Sequence, residues 1–270
     1  QKNIKILEKD WILKLSIIHN CYECFIYLIE NDFELNERTF YYILEYDRIL
    51  FLKYLYENKY KVVYKDNIVY CSKSNTMNCL IYLIEVLKIN VNWTIECSYN
   101  IIKNNNIDYL KYAIFHGCPI DKKTFSLCVD YCDLIIVKYL VSLNCPFDIE
   151  AMNNAAENND LKCIQYLRSI NCPWNESTTE TACEYGHYRI LKYLIKNGCN
   201  YDKESLYYAS KNGKIKCLLY LIKNGLTLNE DVFTNLIYFG NIDYLKTIYD
   251  LNCPYNKNTS LSNALFKKNN

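Results

Sequence analysis

Fifteen cysteines and three histidines are the side chains with the widest chemical reach in this 270-residue sequence. Cysteine serves as nucleophile, redox centre or metal ligand and histidine as base or ligand, but each role needs partners at a fixed spacing. Cys21 to Cys24 reads "CYEC", the CxxC spacing of half a zinc site or of a redox pair. No second CxxC follows to complete four ligands, so the expectation is structural: Cys24 buried, with Cys21 beside it at a turn. The cysteine count is odd and suggests no compact disulfide framework, which favours free thiols in a reducing, intracellular compartment. Glu157 and Glu184 offer carboxylates, yet they stand 27 residues apart at equivalent, exposed positions and do not form a catalytic pair. None of the six glycines is spaced as a phosphate-binding loop, and neither GxSxG nor HExxH occurs. No catalytic residue, metal site or cofactor is therefore expected, and the chain reads as a non-enzyme.

Charge excludes further classes. The 31 basic and 30 acidic residues are interspersed, leaving a net +1 and no basic stripe for a nucleic acid. Apolar runs such as "LIIV" at Leu134 to Val137 are far too short to span a bilayer, so no membrane partner is expected. With 51% apolar and 23% charged residues, the composition is that of a folded, globular chain.

Nine of the fifteen cysteines share two columns, and those columns lead to the frame that positions everything else. Registered on Tyr27, Tyr54, Tyr82, Tyr112, Tyr139, Tyr166, Tyr193, Tyr220 and the substituted Thr247, the copies are spaced 27, 28, 30 and then 27 residues five times. A fixed period between about 20 and 50 residues marks a solenoid, whose units cannot bury an apolar face alone.

Seven residues before the register stand Asn20, Asp47, Asn75, Asn105, Cys132, Asn159, Gly186, Gly213 and Gly240; five after it stand Asp32, Lys59, Leu87, Gly117, Asn144, Asn171, Gly198, Gly225 and Asn252. Gly, Asn and Asp tolerate the left-handed backbone that stops a helix. Pro119, Pro146, Pro173 and Pro254 follow two residues beyond the second stop, where proline blocks continuation. Each repeat thus holds two short helices. The first opens on caps such as Asn175, Asp202 and Asn229; the second buries a face such as Ile190, Leu191, Leu194 and Ile195. Ile120, Phe147, Trp174, Tyr201, Leu228 and Tyr255 are expected to plug the seams between repeats. Trp11 to His19 reads as a first helix and Leu261 to Lys268 as an opening helix that is cut off. The sequence begins in mid-pattern without a Met, so it reads as a segment of a longer protein. Irregularity is expected between Lys59 and Asn104, where the spacing slips.

"GHYRILKYLIKNGCNYD" at Gly186 to Asp202 resembles the second half of an ankyrin repeat, GHLEVVKLLLENGADVN, and "AAENND" at Ala155 to Asp160 resembles AAENGH. The likeness covers nearly the whole chain and is strongest from Ile107 to Asn256. It departs in two ways: the repeats are about six residues shorter than the usual 33, and Ser177-Thr178-Thr179-Glu180 replaces the TPLH tetrapeptide. The short, Cys-, Tyr- and Asn-rich repeats also resemble ankyrin-type proteins of giant DNA viruses of amoebae. The resemblance implies an all-α, right-handed, ankyrin-like helical-repeat solenoid with truncated or absent β-hairpins. With this spacing it would hold about nine and a half helix pairs in one array over residues 1–270. It also gives His187, matching the His of the ankyrin turn, a structural hydrogen bond.

Ankyrin repeats commonly make contacts at the end of the first helix, which here reads Tyr46, Ser74, Asn104, Tyr131, Asn158, Tyr185, Asn212 and Phe239. With the neighbouring column, the candidate partner-binding residues are Tyr131, Glu157, Asn158, Glu184, Tyr185, Lys211, Asn212, Tyr238 and Phe239. Aromatic rings among polar groups suit a protein partner, because they bury much area at small entropic cost. The alternative is that each ring lies against a neighbouring repeat and extends the core. The functional expectation is a non-catalytic protein-binding scaffold, such as a viral host-interaction or adaptor protein. The alternative is a rod-like structural component of a larger assembly such as a virion, which would self-assemble.

Overall fold

The computed structural model describes residues 2–31, 33–60 and 68–256; among them it contains helices and no strand. It groups into two compact units, Gln1–Cys145 and Pro146–Asn270. The first holds α1 (Lys2–Ile18), α2 (Tyr22–Glu30), α3 (Glu37–Glu45), α4 (Ile49–Glu57), α5 (Ile68–Lys73) and α6 (Asn78–Ile81), which runs on as a π-helical turn over Tyr82–Val86. It continues with α7 (Ile95–Lys103), α8 (Ile107–Phe115), α9 (Lys122–Tyr131) and α10 (Leu134–Ser142). The second holds α11 (Ile149–Glu157), α12 (Leu161–Ser169), α13 (Glu176–Tyr185), α14 (Tyr188–Lys196), α15 (Lys203–Lys211), α16 (Ile215–Lys223), α17 (Glu230–Phe239) and α18 (Ile242–Asp250). Each odd-numbered helix pairs with the next, and first helices pack on first helices: α1 to α9 in one unit, α11 to α17 in the other. The architecture is an all-α, solenoid-like repeat. The opening helix expected at Leu261 to Lys268 lies outside the described residues.

Local sequence dictates the helix ends. Asn36, Asp121, Asp148, Asn175, Asp202 and Asn229 cap α3, α9, α11, α13, α15 and α17, each side chain accepting a backbone N–H of the first turn. Such a cap stabilises a helix by about 1 kcal/mol. At the far ends, all six glycines and, among the described residues, nine others take positive φ, including Asn20, Asp47, Asn105, Asn144, Asn159, Asn171 and Asn252. These residues occupy the two stop columns, with one displacement. The expected stop at Leu87 falls instead on Lys88 (φ 55°), because the π-helical turn over Tyr82–Val86 takes up an additional residue before the chain can reverse. A π turn closes an i to i+5 ring, so it shifts the phase by one residue. Cys132 is extended rather than left-handed, and Asn75 of the same column does not take positive φ either. Asn31, Asn58, Asn197, Asn212 and Asn224 add a third device: each side-chain amide donates to the carbonyl four residues back.

The second helices supply the apolar core. Ile190, Leu191 and Leu194 are fully buried, as are Cys217, Leu218 and Leu221 at the equivalent positions of α16. Ile195, expected to join that face, is half-buried, since four apolar positions span a wider arc of the helix than its neighbours cover. Burying each Leu or Ile contributes about 1.5–3 kcal/mol.

The first helices meet across small polar groups instead. Ser98 and Thr124 hydroxyls lie 3.1 Å apart between α7 and α9, and Asn153 reaches Thr178 at 2.7 Å between α11 and α13. Asn235 reaches Ser210 at 2.9 Å between α15 and α17. Short side chains allow close approach here, and each buried hydroxyl finds a partner, as burial of a polar group demands.

Candidate functional site

Because α11, α13, α15 and α17 pack in succession, their C-terminal ends fall on one edge of the second unit. That edge carries Glu157 and Asn158, Glu184 and Tyr185, Lys211 and Asn212, and Tyr238 and Phe239. Tyr131 occupies the equivalent end of α9 in the first unit. All of these are exposed except Asn212, which is half-buried; Tyr185 and Phe239 keep 43% and 46% of their surface in solvent.

Two of the exposed rings, Tyr185 and Phe239, lean on the preceding repeat. Tyr185 donates its phenolic hydrogen to Glu157 Oε1 at the end of α11, and His187 Nε2 donates to the Glu157 carbonyl at 2.8 Å. The Tyr185 and His187 rings stack 6.1 Å apart, so Glu157 is gripped from two sides. The Phe239 ring lies directly over Gly213, where a Cβ would collide with it, and Lys214 lies over Gly186 in the same manner. The bare backbone of these glycines is what lets the neighbouring side chain lie flat. Extension of the stack and solvent exposure therefore coexist in the same rings: one face or edge touches the preceding turn and the other faces water.

Further cross-repeat contacts follow the same plan in the first unit. Arg48 donates through Nε and Nη2 to the carbonyls of Ile17 and Ile18 at 2.8 and 2.6 Å. Asp47 accepts from the backbone N–H groups of Asn78 and Cys79, so it caps α6 from one repeat away. Asn104 Nδ2 donates to the Ser74 carbonyl at 2.8 Å. In the sequence Asp47 was legible as a turn former and Asn104 as part of the first-helix-end contact column, while nothing marked Arg48.

The cysteines of the junction column have a role beyond filling space. Cys145, Cys172, Cys199 and Cys253 each donate the S–H to the carbonyl of the N-cap residue 24 positions earlier, Asp121, Asp148, Asn175 and Asn229. Burial pushes the thiols of Cys118, Cys145, Cys163, Cys172 and Cys199 up to about 12. Thiols so far from ionisation are poor nucleophiles. The CxxC pair behaves otherwise. Cys24 is exposed, not buried as its column suggested, and Cys21 and Cys24 are joined by a disulfide. The reason is positional: Phe51 of α4, at the column of Cys24, is covered by Phe25 and Tyr22 of the preceding repeat, whereas the described residues place no such repeat against α2.

Among the described residues no three His, Cys, Asp or Glu side chains converge in a way that could hold a metal ion. Among them, too, no helix is long and apolar enough to cross a membrane.

The family model for ankyrin repeats (three copies) matches residues 125–205 and 152–232, less than half of the chain. Ankyrin repeats generally mediate protein–protein interaction. No curated protein sequence matches. Among solved structures, the human ASB11 ankyrin repeat domain is 14% identical with a TM-score of 0.34, covering 70% of this chain and 84% of its own. The maize pentatricopeptide repeat protein PPR10 is 12% identical with a TM-score of 0.42, covering 94% of this chain and 45% of its own. A structure of PPR10 in complex with an 18-nt psaJ RNA element is 9% identical, with a TM-score of 0.39.

Proposed function

We propose that the chain is an ankyrin-type scaffold, one repeat array through both units, that binds another protein along the C-terminal ends of its first helices. The observation that carries this reading is the row of half-exposed rings among charges: Tyr185 beside Glu157, and Tyr238 and Phe239 beyond Lys211. Rings already held on one side lose little freedom when a partner covers the other, which suits a binding surface. The array rests on the 27-residue period, which runs from Tyr112 to Thr247 without a break. A net charge of +1 with no basic stripe supports a protein rather than a nucleic acid as partner. Thirteen free cysteines support a reducing, intracellular compartment. A viral host-interaction or adaptor role fits a surface without catalytic groups, and rests on the resemblance of the short, Cys- and Tyr-rich repeats.

Photo-crosslinking amino acids at Tyr185 and Phe239, with Lys192 and Lys216 on the second helices as controls, test the reading. Crosslinks to one foreign protein from the first pair alone support it. Crosslinks from the controls only, or from either pair to further copies of this chain, overturn it, the latter in favour of a self-assembling structural component.

A further inference from the structure

Two cysteines out of fifteen stand apart from the rest. Cys21 is the N-cap residue of α2 and Cys24 lies in its first turn. Cys21 is half-buried, Cys24 is exposed, and their sulfurs are bonded to each other. The other thirteen are free, and all but Cys132 are buried. The pair borders an open apolar groove lined by Ile12, Leu15, Tyr27 and Leu28, with His19 and Glu23 at its edges. Trp11 and Tyr27, on α1 and α2, leave 56% and 67% of their surfaces in solvent.

From this placement we infer that Cys21 and Cys24 form a thiol–disulfide exchange site, and that its substrate is a cysteine thiol presented between apolar residues. The chemistry follows from position. An incoming thiolate reaches the exposed Cys24 Sγ, a new S–S bond forms there, and the Cys21–Cys24 bond breaks. Cys21 leaves as a thiolate at the helix cap, where the first-turn N–H groups and the positive end of the helix dipole stabilise a negative sulfur. A sulfur that carries charge well is a good leaving group. A second thiol then attacks the substrate sulfur of the mixed disulfide and frees Cys24, which takes up a proton, as does Cys21. Two substrate thiols end as one disulfide and the pair ends as two thiols, so electrons and protons balance. Run in reverse, the reduced pair opens a substrate disulfide. The apolar groove supplies what a small hydrophilic thiol cannot use, a surface for the residues flanking the reacting cysteine.

The oxidised, folded chain is treated with glutathione or with a short apolar peptide containing one cysteine, then acid-quenched, alkylated and mapped by mass spectrometry. Against the untreated chain, in which the thirteen free cysteines are alkylated already, the expected result is new alkylation at Cys21 and Cys24, with the peptide reacting faster than glutathione. Replacing Tyr27→Ser should narrow the ratio of the peptide rate to the glutathione rate. The order of events is tested by trapping the intermediate: the peptide should be found disulfide-bonded to Cys24, with Cys21 as the newly alkylated thiol. A peptide disulfide found on Cys21, reduction only in denaturant, or no new alkylation at Cys21 and Cys24 would overturn the assignment, as would equal rates for peptide and glutathione.

Discussion

The Cys199 thiol donates to the carbonyl of Asn175 at 3.2 Å, tying the end of one repeat to the cap residue that opened it. Asp148 and Cys172 repeat the contact at 3.5 Å, and Asp121 and Cys145 at 3.4 Å. Each bond satisfies a carbonyl at a helix start with a side chain small enough to sit in the seam. Where the column holds Leu226 the volume is filled but no such donor is supplied.

Buried, high-pKa thiols should be silent in the folded protein. Cys145, Cys172 and Cys199 are expected to resist a maleimide reagent under native conditions and to react fully in denaturant. Labelling of these three at the rate of a free thiol would show that the junctions open.

Tyr109 is fully buried and its hydroxyl has no hydrogen-bond partner among the described residues. An unpartnered buried hydroxyl costs about 1–3 kcal/mol. Tyr109→Phe should therefore raise stability by about 1 kcal/mol in urea denaturation, the ring being retained. A loss of stability would mean the hydroxyl has a partner.

Glu180 has its pKa raised by burial and, after that, by Asp202, Glu204 and Glu176. Because the folded form holds its proton more tightly than the unfolded one, this carboxyl favours folding least once both states are ionised. The penalty therefore sets in as pH rises through the unfolded and then the folded pKa. Glu180→Gln is expected to raise the melting temperature at pH 7 and to lose that advantage below about pH 4, where the native side chain is protonated. An equal gain at both pH values would remove the electrostatic cause.

Replacing Tyr131 and Tyr185 together with Ala tests the proposed surface against a purely structural role. Loss of at least about 2 kcal/mol of partner binding, with the melting temperature preserved, is the outcome a binding hot spot gives. Early melting, or unchanged binding, assigns the rings to the repeat stack.

The punctuation was legible in the sequence because backbone conformation depends on local residue type. Asn175, Asp202 and Asn229 cap as expected, and Gly186, Gly213 and Gly240 turn left-handed where the columns placed them. What escaped was set by neighbours a repeat away. The one-residue slip to Lys88 comes from a π turn that no residue type announces. The exposure of Cys24 depends on what packs against α2, which a column average cannot carry. Tyr185 was placed correctly at its helix end, but its grip on Glu157 belongs to the stacking of α11 and α13.

Three of the asparagines that donate back to a helix carbonyl, Asn197, Asn212 and Asn224, are each followed by glycine. Asn-Gly is the dipeptide in which the glycine nitrogen most readily attacks the asparagine side chain, losing ammonia through a cyclic imide. Here the attacking nitrogens of Gly198, Gly213 and Gly225 are already donating to Ile195, Ser210 and Ile222, and the three amides are tethered in the opposite direction. Chemical ageing at these points must wait for the ends of α14, α15 and α16 to fray, so deamidation would act as a slow clock recording how often each repeat opens.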